Sequence, residues 1–140
     1  MRKSITAVAL ALGVSQAVSA FAVTVTAQDT LRGYESEARK ESAAFKSSAS
    51  RGESFFRNER SSAKGGKQSC ASCHTSDPRQ VGATRAHKAI EALAPAANAA
   101  RFTDPAKVEK WFGRNCEDVL ERACSAAEKA DFIHWLLTIK

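Results

Sequence analysis

A chain of 140 residues with 44% hydrophobic and 7% aromatic content can bury one core and not two. Its formal charge of +6 comes from Lys and Arg interspersed with Asp and Glu, and the lack of a long basic run argues against a nucleic-acid partner. Almost nothing alternates with period two, so an all-α fold is expected.

The sequence opens with Arg2 and Lys3, continues with an apolar run from Ile5 to Val14, and offers small-residue cleavage sites in Ala17-Val18-Ser19-Ala20 and Ala20-Phe21-Ala22. This is the pattern of a secretory signal peptide. Gly13, Ser15, Gln16 and Ser19 interrupt the run before the roughly 18 to 20 apolar residues that a membrane span needs. The expectation is a signal peptide over 1–22, cleaved somewhere in 20–27, a domain over 23–140 with no membrane anchor after cleavage, and a periplasmic location. Cleavage lowers the formal charge from +6 to +4 and leaves no methionine, because Met1 is the only one.

Asp29 is placed to cap a first helix over 31–45, with Leu31, Tyr34 and Ala38 at helical spacing. Ser47-Ser48-Ala49-Ser50 breaks it, and a second helix over 51–60 puts Gly52 and Phe56 on one face at i and i+4. Residues 61–69, with Gly65 and Gly66, read as a loop leading into Cys70-Ala71-Ser72-Cys73-His74. Two thiols at this spacing, followed at once by His, can both be joined to one haem while the imidazole reaches its iron. A thioredoxin-like redox pair would want a βαβ pattern around it, and half a zinc site would want a second Cys or His pair; the sequence offers neither context. A single motif predicts one covalent haem c, attached through Cys70 and Cys73, with His74 as proximal ligand. Arg57, Arg60, Lys64 and Lys67 precede the motif closely and could form a positive collar that steers acidic redox partners, or be simply solvated loop charges.

Residues 75–85 read as irregular, apart from a turn at Asp77-Pro78. Asp104-Pro105 caps and starts a helix through Val108, Trp111 and Phe112 that Gly113 should end. Cys116 and Cys124 would stand about 12 Å apart on an unbroken helix, whereas a disulfide needs less than about 7 Å. They either bond across a turn, as an oxidising compartment favours, or stand as two buried free thiols. Ser125-Ala126-Ala127-Glu128 is a capping box opening a last helix, whose apolar face carries Ala130, Phe132, Ile133, Leu136 and Leu137 up to Ile139.

A haem motif near the start of a small helical domain, with a Gly-x-x-x-Phe helix before it and an aromatic-bearing helix at the end, resembles the class I cytochromes c. The resemblance implies crossing N- and C-terminal helices, with Gly52, Phe56 and Trp135 packed where they cross. Electron-carrying members usually supply a methionine as sixth ligand, and this chain has none to offer. His87, His134, Asn115, a lysine or an open site compete for that position. A histidine in the polar stretch Arg85-Ala86-His87-Lys88 is ordinarily solvated, one beside Trp135 ordinarily packs or faces water, and Asn115 by spacing alone is a helix C-terminal residue after Gly113.

The runs Ala94-Pro95, Arg101-Phe102-Thr103-Asp104 and Val108-Glu109-Lys110-Trp111-Phe112-Gly113-Arg114-Asn115-Cys116, with Glu128-Lys129-Ala130-Asp131, are similar to the SHP type (sphaeroides haem protein) of monohaem cytochrome c. That resemblance implies Asn115 as distal ligand, so that the metal is held by His74 and Asn115, and a disulfide between Cys116 and Cys124. It also implies a high-spin or nearly high-spin iron whose asparagine leaves on reduction. The ferrous haem then binds oxygen or nitric oxide, with electrons from a dihaem cytochrome c fed by a membrane cytochrome b. The chain departs from the pattern in carrying Thr75 where a glycine usually follows the haem histidine, and in having His87 and His134. Three functions follow: a small-ligand-binding haem protein that accepts electrons and could turn over oxygen or nitric oxide; a plain six-coordinate electron carrier with His87 or His134 as distal ligand; and a peroxidase-like enzyme in which Arg114 supports anions beside an open iron.

Overall fold

The structure, a computed structural model, describes residues 24–63 and 65–140; the expected signal peptide lies outside them. Helix α1 (Ala27–Glu41) begins earlier than Asp29 suggested, because Thr26 is its N-cap. The Thr26 hydroxyl accepts from the Asp29 N–H at 3.1 Å while the Asp29 carboxylate accepts from the Thr26 N–H at 2.9 Å. Each thereby satisfies a donor that the first turn leaves exposed, so Asp29 is the third helical residue and not the cap. Helix α2 (Ala49–Arg57) follows, capped by Ser48. Two-residue strands β1 (Arg60–Ser61) and β2 (Lys67–Gln68) pair across the glycine-bearing loop. One helical turn, α3 (Ala71–His74), carries the cysteine-histidine motif, and β3 (Gly82–Ala83) pairs with β4 (Ala89–Ile90). These ladders are too short to leave a period-two signature.

Helix α4 (Pro105–Leu120) has Asp104 as cap and Pro105 in its first turn, yet runs straight through Gly113. A glycine inside a helix costs about 1 kcal/mol. Burial of Val108, Phe112 and Cys116 at i, i+4 and i+8 outweighs that, because each large apolar side chain removed from water contributes about 1.5–3 kcal/mol. The helix ends at Glu121, whose φ of 57° is left-handed, and this turn brings Cys124 back beside Cys116. Helix α5 (Ala126–Thr138) opens with the Ser125–Glu128 capping box.

The core is organised on α5. Both α1 and α2 pack along it, and α4 joins them through its side chains, Phe112 meeting Tyr34 of α1 and Phe132 of α5. Phe56, Ile133 and Leu136 are fully buried, and Phe56 stacks on Trp135 with ring centroids 4.9 Å apart. Gly52 makes this closeness possible: a Cβ built on it would lie 2.5 Å from the Asp131 carbonyl carbon and 2.9 Å from the Trp135 Cβ. Buried Asp131 fastens the same crossing, accepting from the Ser48 N–H at 2.7 Å and from Arg51 Nε at 2.6 Å. This is the crossing of N- and C-terminal helices that the class I pattern predicts. Among the described residues no helix is long and apolar enough to cross a membrane.

Candidate functional site

The turn α3 gathers Cys70, Cys73 and His74, with Cys70 as its N-cap and Thr75 ending it at φ 62°. The thiols of Cys70 and Cys73 are free and half-buried, although the other two cysteines stand at bonding distance. Burial pushes the Cys70 thiol up to about 11, with Arg60 opposing that rise. Burial also holds the His74 imidazolium down to about 4, and the positive charge of Arg101 acts in the same direction. The imidazole is therefore neutral at ordinary pH. Its ring takes part in no hydrogen bond among the described residues, so a lone pair is available to a metal.

Strand β3 packs directly under this turn. A Cβ on Gly82 would stand 3.0 Å from His74 Cα and 3.1 Å from the Cys73 carbonyl carbon, and closer still to its oxygen. Only a residue without a side chain fits there. Sequence reading passed over Gly82 because one glycine in an irregular stretch gives no sign of what approaches it. Arg101 was read only as part of a resemblance; its guanidinium donates to the Ala92 and Glu91 carbonyls at 2.7 and 2.6 Å.

Asn115 lies in the interior of α4 and not at its end, the difference being that Gly113 does not stop the helix. It is half-buried, and its side chain makes no hydrogen bond among the described residues. Next to it, the Cys116 and Cys124 sulfurs are joined, with Cα atoms 5.7 Å apart. One turn before Asn115, Trp111 is 41% exposed, with the Arg114 guanidinium 5.4 Å from its ring centroid.

The histidines stand elsewhere. His87 is exposed, in the turn between β3 and β4, at φ 57°. His134 Nδ1 is 2.8 Å from the Ser47 hydroxyl, which donates to Glu35 at 2.5 Å; these three line a cleft of about 310 Å³ with Gln28 and Leu31 of α1. Of the expected collar, Arg57 binds Glu53 and the Ser76 carbonyl, Arg60 binds the Phe55 and Asn58 carbonyls, Lys67 is exposed, and Lys64 lies outside the described residues.

The donor set fits a covalently attached haem. Two unbridged thiols and a neutral, unpartnered imidazole share one turn, and among the described residues no group of three or more His, Cys, Asp or Glu completes a zinc site there.

Residues 42–136 match the family described as a domain of unknown function, DUF1924. The chain is 47% identical over 88 residues to cytochrome c-type protein SHP of Cereibacter sphaeroides, covering 63% of this chain and 68% of that protein. It is 46% identical over 88 residues to cytochrome c'' of Methylophilus methylotrophus, covering 62% and 61%. Oxidised cytochrome c'' superposes with a TM-score of 0.75 at 37% identity, over 81% of this chain and 94% of that one. Oxidised SHP, an oxygen-binding cytochrome c, superposes with a TM-score of 0.73 at 37% identity, over 84% and 100%. A solution structure of cytochrome c'' that bears on haem-ligand detachment gives 0.72 at 38% identity, over 81% and 93%.

Proposed function

Because the chain belongs to the DUF1924 family and is kin to SHP and cytochrome c'', monohaem c-type cytochromes, we propose that it works in the periplasm as a ligand-binding haem protein with a releasable distal asparagine. The haem supplies an iron that exchanges one electron and takes small ligands. Cys70 and Cys73 hold its edge and His74 offers a neutral nitrogen from the proximal side, kept uncharged by burial. Asn115, half-buried in α4, would offer its amide oxygen to the same iron. A neutral oxygen is a hard donor that suits ferric iron better than the softer ferrous ion, so Asn115 would hold the oxidised haem more firmly than the reduced one. With that hold weakened, the reduced haem would supply an iron able to take a small diatomic ligand such as oxygen or nitric oxide.

The observation that carries this reading is the side chain of Asn115 itself, half-buried and without a hydrogen-bond partner among the described residues, in a chain whose only methionine is Met1. SHP is an oxygen-binding cytochrome, and ligand detachment belongs to the account of cytochrome c''. Both fit the reading. Electrons come from another haem protein, a dihaem cytochrome c fed by a membrane cytochrome b. The signal-peptide pattern over 1–22 supports export.

The test is the visible spectrum of purified ferric and dithionite-reduced protein, the latter with and without carbon monoxide. A five-coordinate ferrous spectrum that shifts at once with carbon monoxide, together with a changed ferric spectrum in Asn115→Ala, is expected. Sharp low-spin ferrous bands unmoved by the gas would instead assign the iron to His87 or His134 and make the protein an electron carrier.

A further inference from the structure

The Asn115 side chain makes no hydrogen bond among the described residues, so what fixes it must act on the helix that carries it. The first half of helix α4 is held to α1 and α5 through the side chains of Glu109 and Phe112. Its last turn is instead fastened from outside. Gln68, buried at 9% exposure and two residues before Cys70, donates from Nε2 to the Asp118 carbonyl at 2.5 Å. Its Oε1 accepts from the Arg85 guanidinium, so both ends of the amide are engaged. One residue past the helix, the Glu121 carboxylate accepts from the Ala63 N–H at 2.7 Å and from the Ser62 hydroxyl at 3.0 Å. Glu121 holds a left-handed φ of 57°, a conformation that a residue with a side chain adopts only when its surroundings enforce it.

Both ties run between the same two bodies. One end is the β1–β2 hairpin, which leads the chain into Cys70; the other is the stretch 118–121, which leaves Asn115 within one to two turns. The Cys116–Cys124 bridge closes that stretch onto the start of α5 but does not reach the hairpin. Among the described residues, the hydrogen bonds of Gln68 and Glu121 join the hairpin before the haem-attachment segment to the end of α4. The bonds to Gln68 also spare a buried amide the cost of lying unpaired.

We propose that Gln68 and Glu121 are positioning residues for Asn115: by clamping the end of α4 to the hairpin before Cys70 they keep Asn115 within reach of the iron and slow its exchange with incoming ligands. The inference rests on the reading of Asn115 as distal ligand, and the experiment separates the two.

In the holoprotein, cyanide association with the ferric haem is timed by stopped flow for the unsubstituted chain and for Asn115→Ala, Glu121→Ala, Glu121→Gln and Gln68→Leu, with ferric spin state read by electron paramagnetic resonance. Asn115→Ala sets the upper rate, since the amide then no longer competes with cyanide. Losing one tie weakens the hold on the helix end by about one hydrogen bond, so Glu121→Ala and Gln68→Leu are expected to speed association about tenfold with a larger high-spin fraction. Glu121→Gln, which keeps an acceptor oxygen, should return the rate most of the way. A merely structural role would lower thermal stability in both variants while leaving cyanide association and spin state unchanged, and that result overturns the clamp. If Asn115→Ala itself changes neither rate nor spectrum, the distal-ligand reading fails and the clamp fails with it. Glu121 is exposed, so Glu121→Ala carries the test alone if Gln68→Leu does not fold.

Discussion

Replacing Gly52 by Ala adds one methyl group at the tightest point of the α2–α5 crossing. Its position, 2.5 Å from the Asp131 carbonyl carbon and 2.9 Å from Trp135 Cβ, is set by backbone and by a Cβ, neither of which can swing aside. Relief requires α2 to withdraw by about 1 Å, against interiors packed as densely as organic crystals. Withdrawal loosens the Phe56–Trp135 stack and pulls Ser48 and Arg51 from the Asp131 carboxylate. Overpacking of this kind costs about 3 kcal/mol, and the better helix propensity of Ala returns about 1 kcal/mol. The net loss of about 2 kcal/mol corresponds to a Tm lower by roughly 8 °C for a domain of this size. Thermal unfolding of the holoprotein, followed by far-ultraviolet circular dichroism, measures it. Gly33→Ala is the internal control, since nothing lies within 4 Å of a Cβ at that helical position; it should raise stability by about 0.5–1 kcal/mol. If Gly52→Ala also raises Tm, close approach is not why glycine stands there.

Gly82→Ala pushes β3 off the Cys73 carbonyl and so disturbs the attachment turn; expressed protein should carry less covalent haem per chain, measured by pyridine haemochrome against total protein. The Glu128 carboxyl is held below its usual range, first by its hydrogen bond from Arg122 and then by Ser125 against the opposing effect of burial. A lowered folded-state value contributes stability that is present above the unfolded value near 4.5 and is lost as pH falls through the folded one. Glu128→Gln should therefore flatten the acid limb of a Tm-against-pH profile below about pH 4.5 and leave its shape near neutrality unchanged.

What could be read from the amino-acid order differs by element for physical reasons. The last helix was legible because its capping box and apolar face are both local, and the Gly52–Phe56 face because both residues meet one partner helix. Helix α4 was cut short at Gly113 because propensity is local, whereas the burial of Phe112 and Cys116 that carries the helix onward is tertiary. The first helix was misplaced by a few residues because Thr26 and Asp29 are both good capping residues and only geometry says which one caps. The attachment turn was legible as a motif, yet the surroundings that tune it were not. Folding brings Gly82 under the turn and brings Asp118 and Arg85 to Gln68, and the left-handed conformations of Thr75, His87, Phe102 and Glu121 have no glycine to announce them.

The dependence of α1 and α2 on α5 has a consequence for the order of events during folding. Ser48 and Arg51 meet Asp131 across 83 and 80 residues, and closing a loop of that length costs about 4 kcal/mol in chain entropy before any contact repays it. A chain emerging from its N-terminus thus has its first two helices without their partner until the last thirteen-residue helix is available. During that interval neither the Phe56–Trp135 stack nor the ties to Asp131 can form, so the crossing that organises the core is made last.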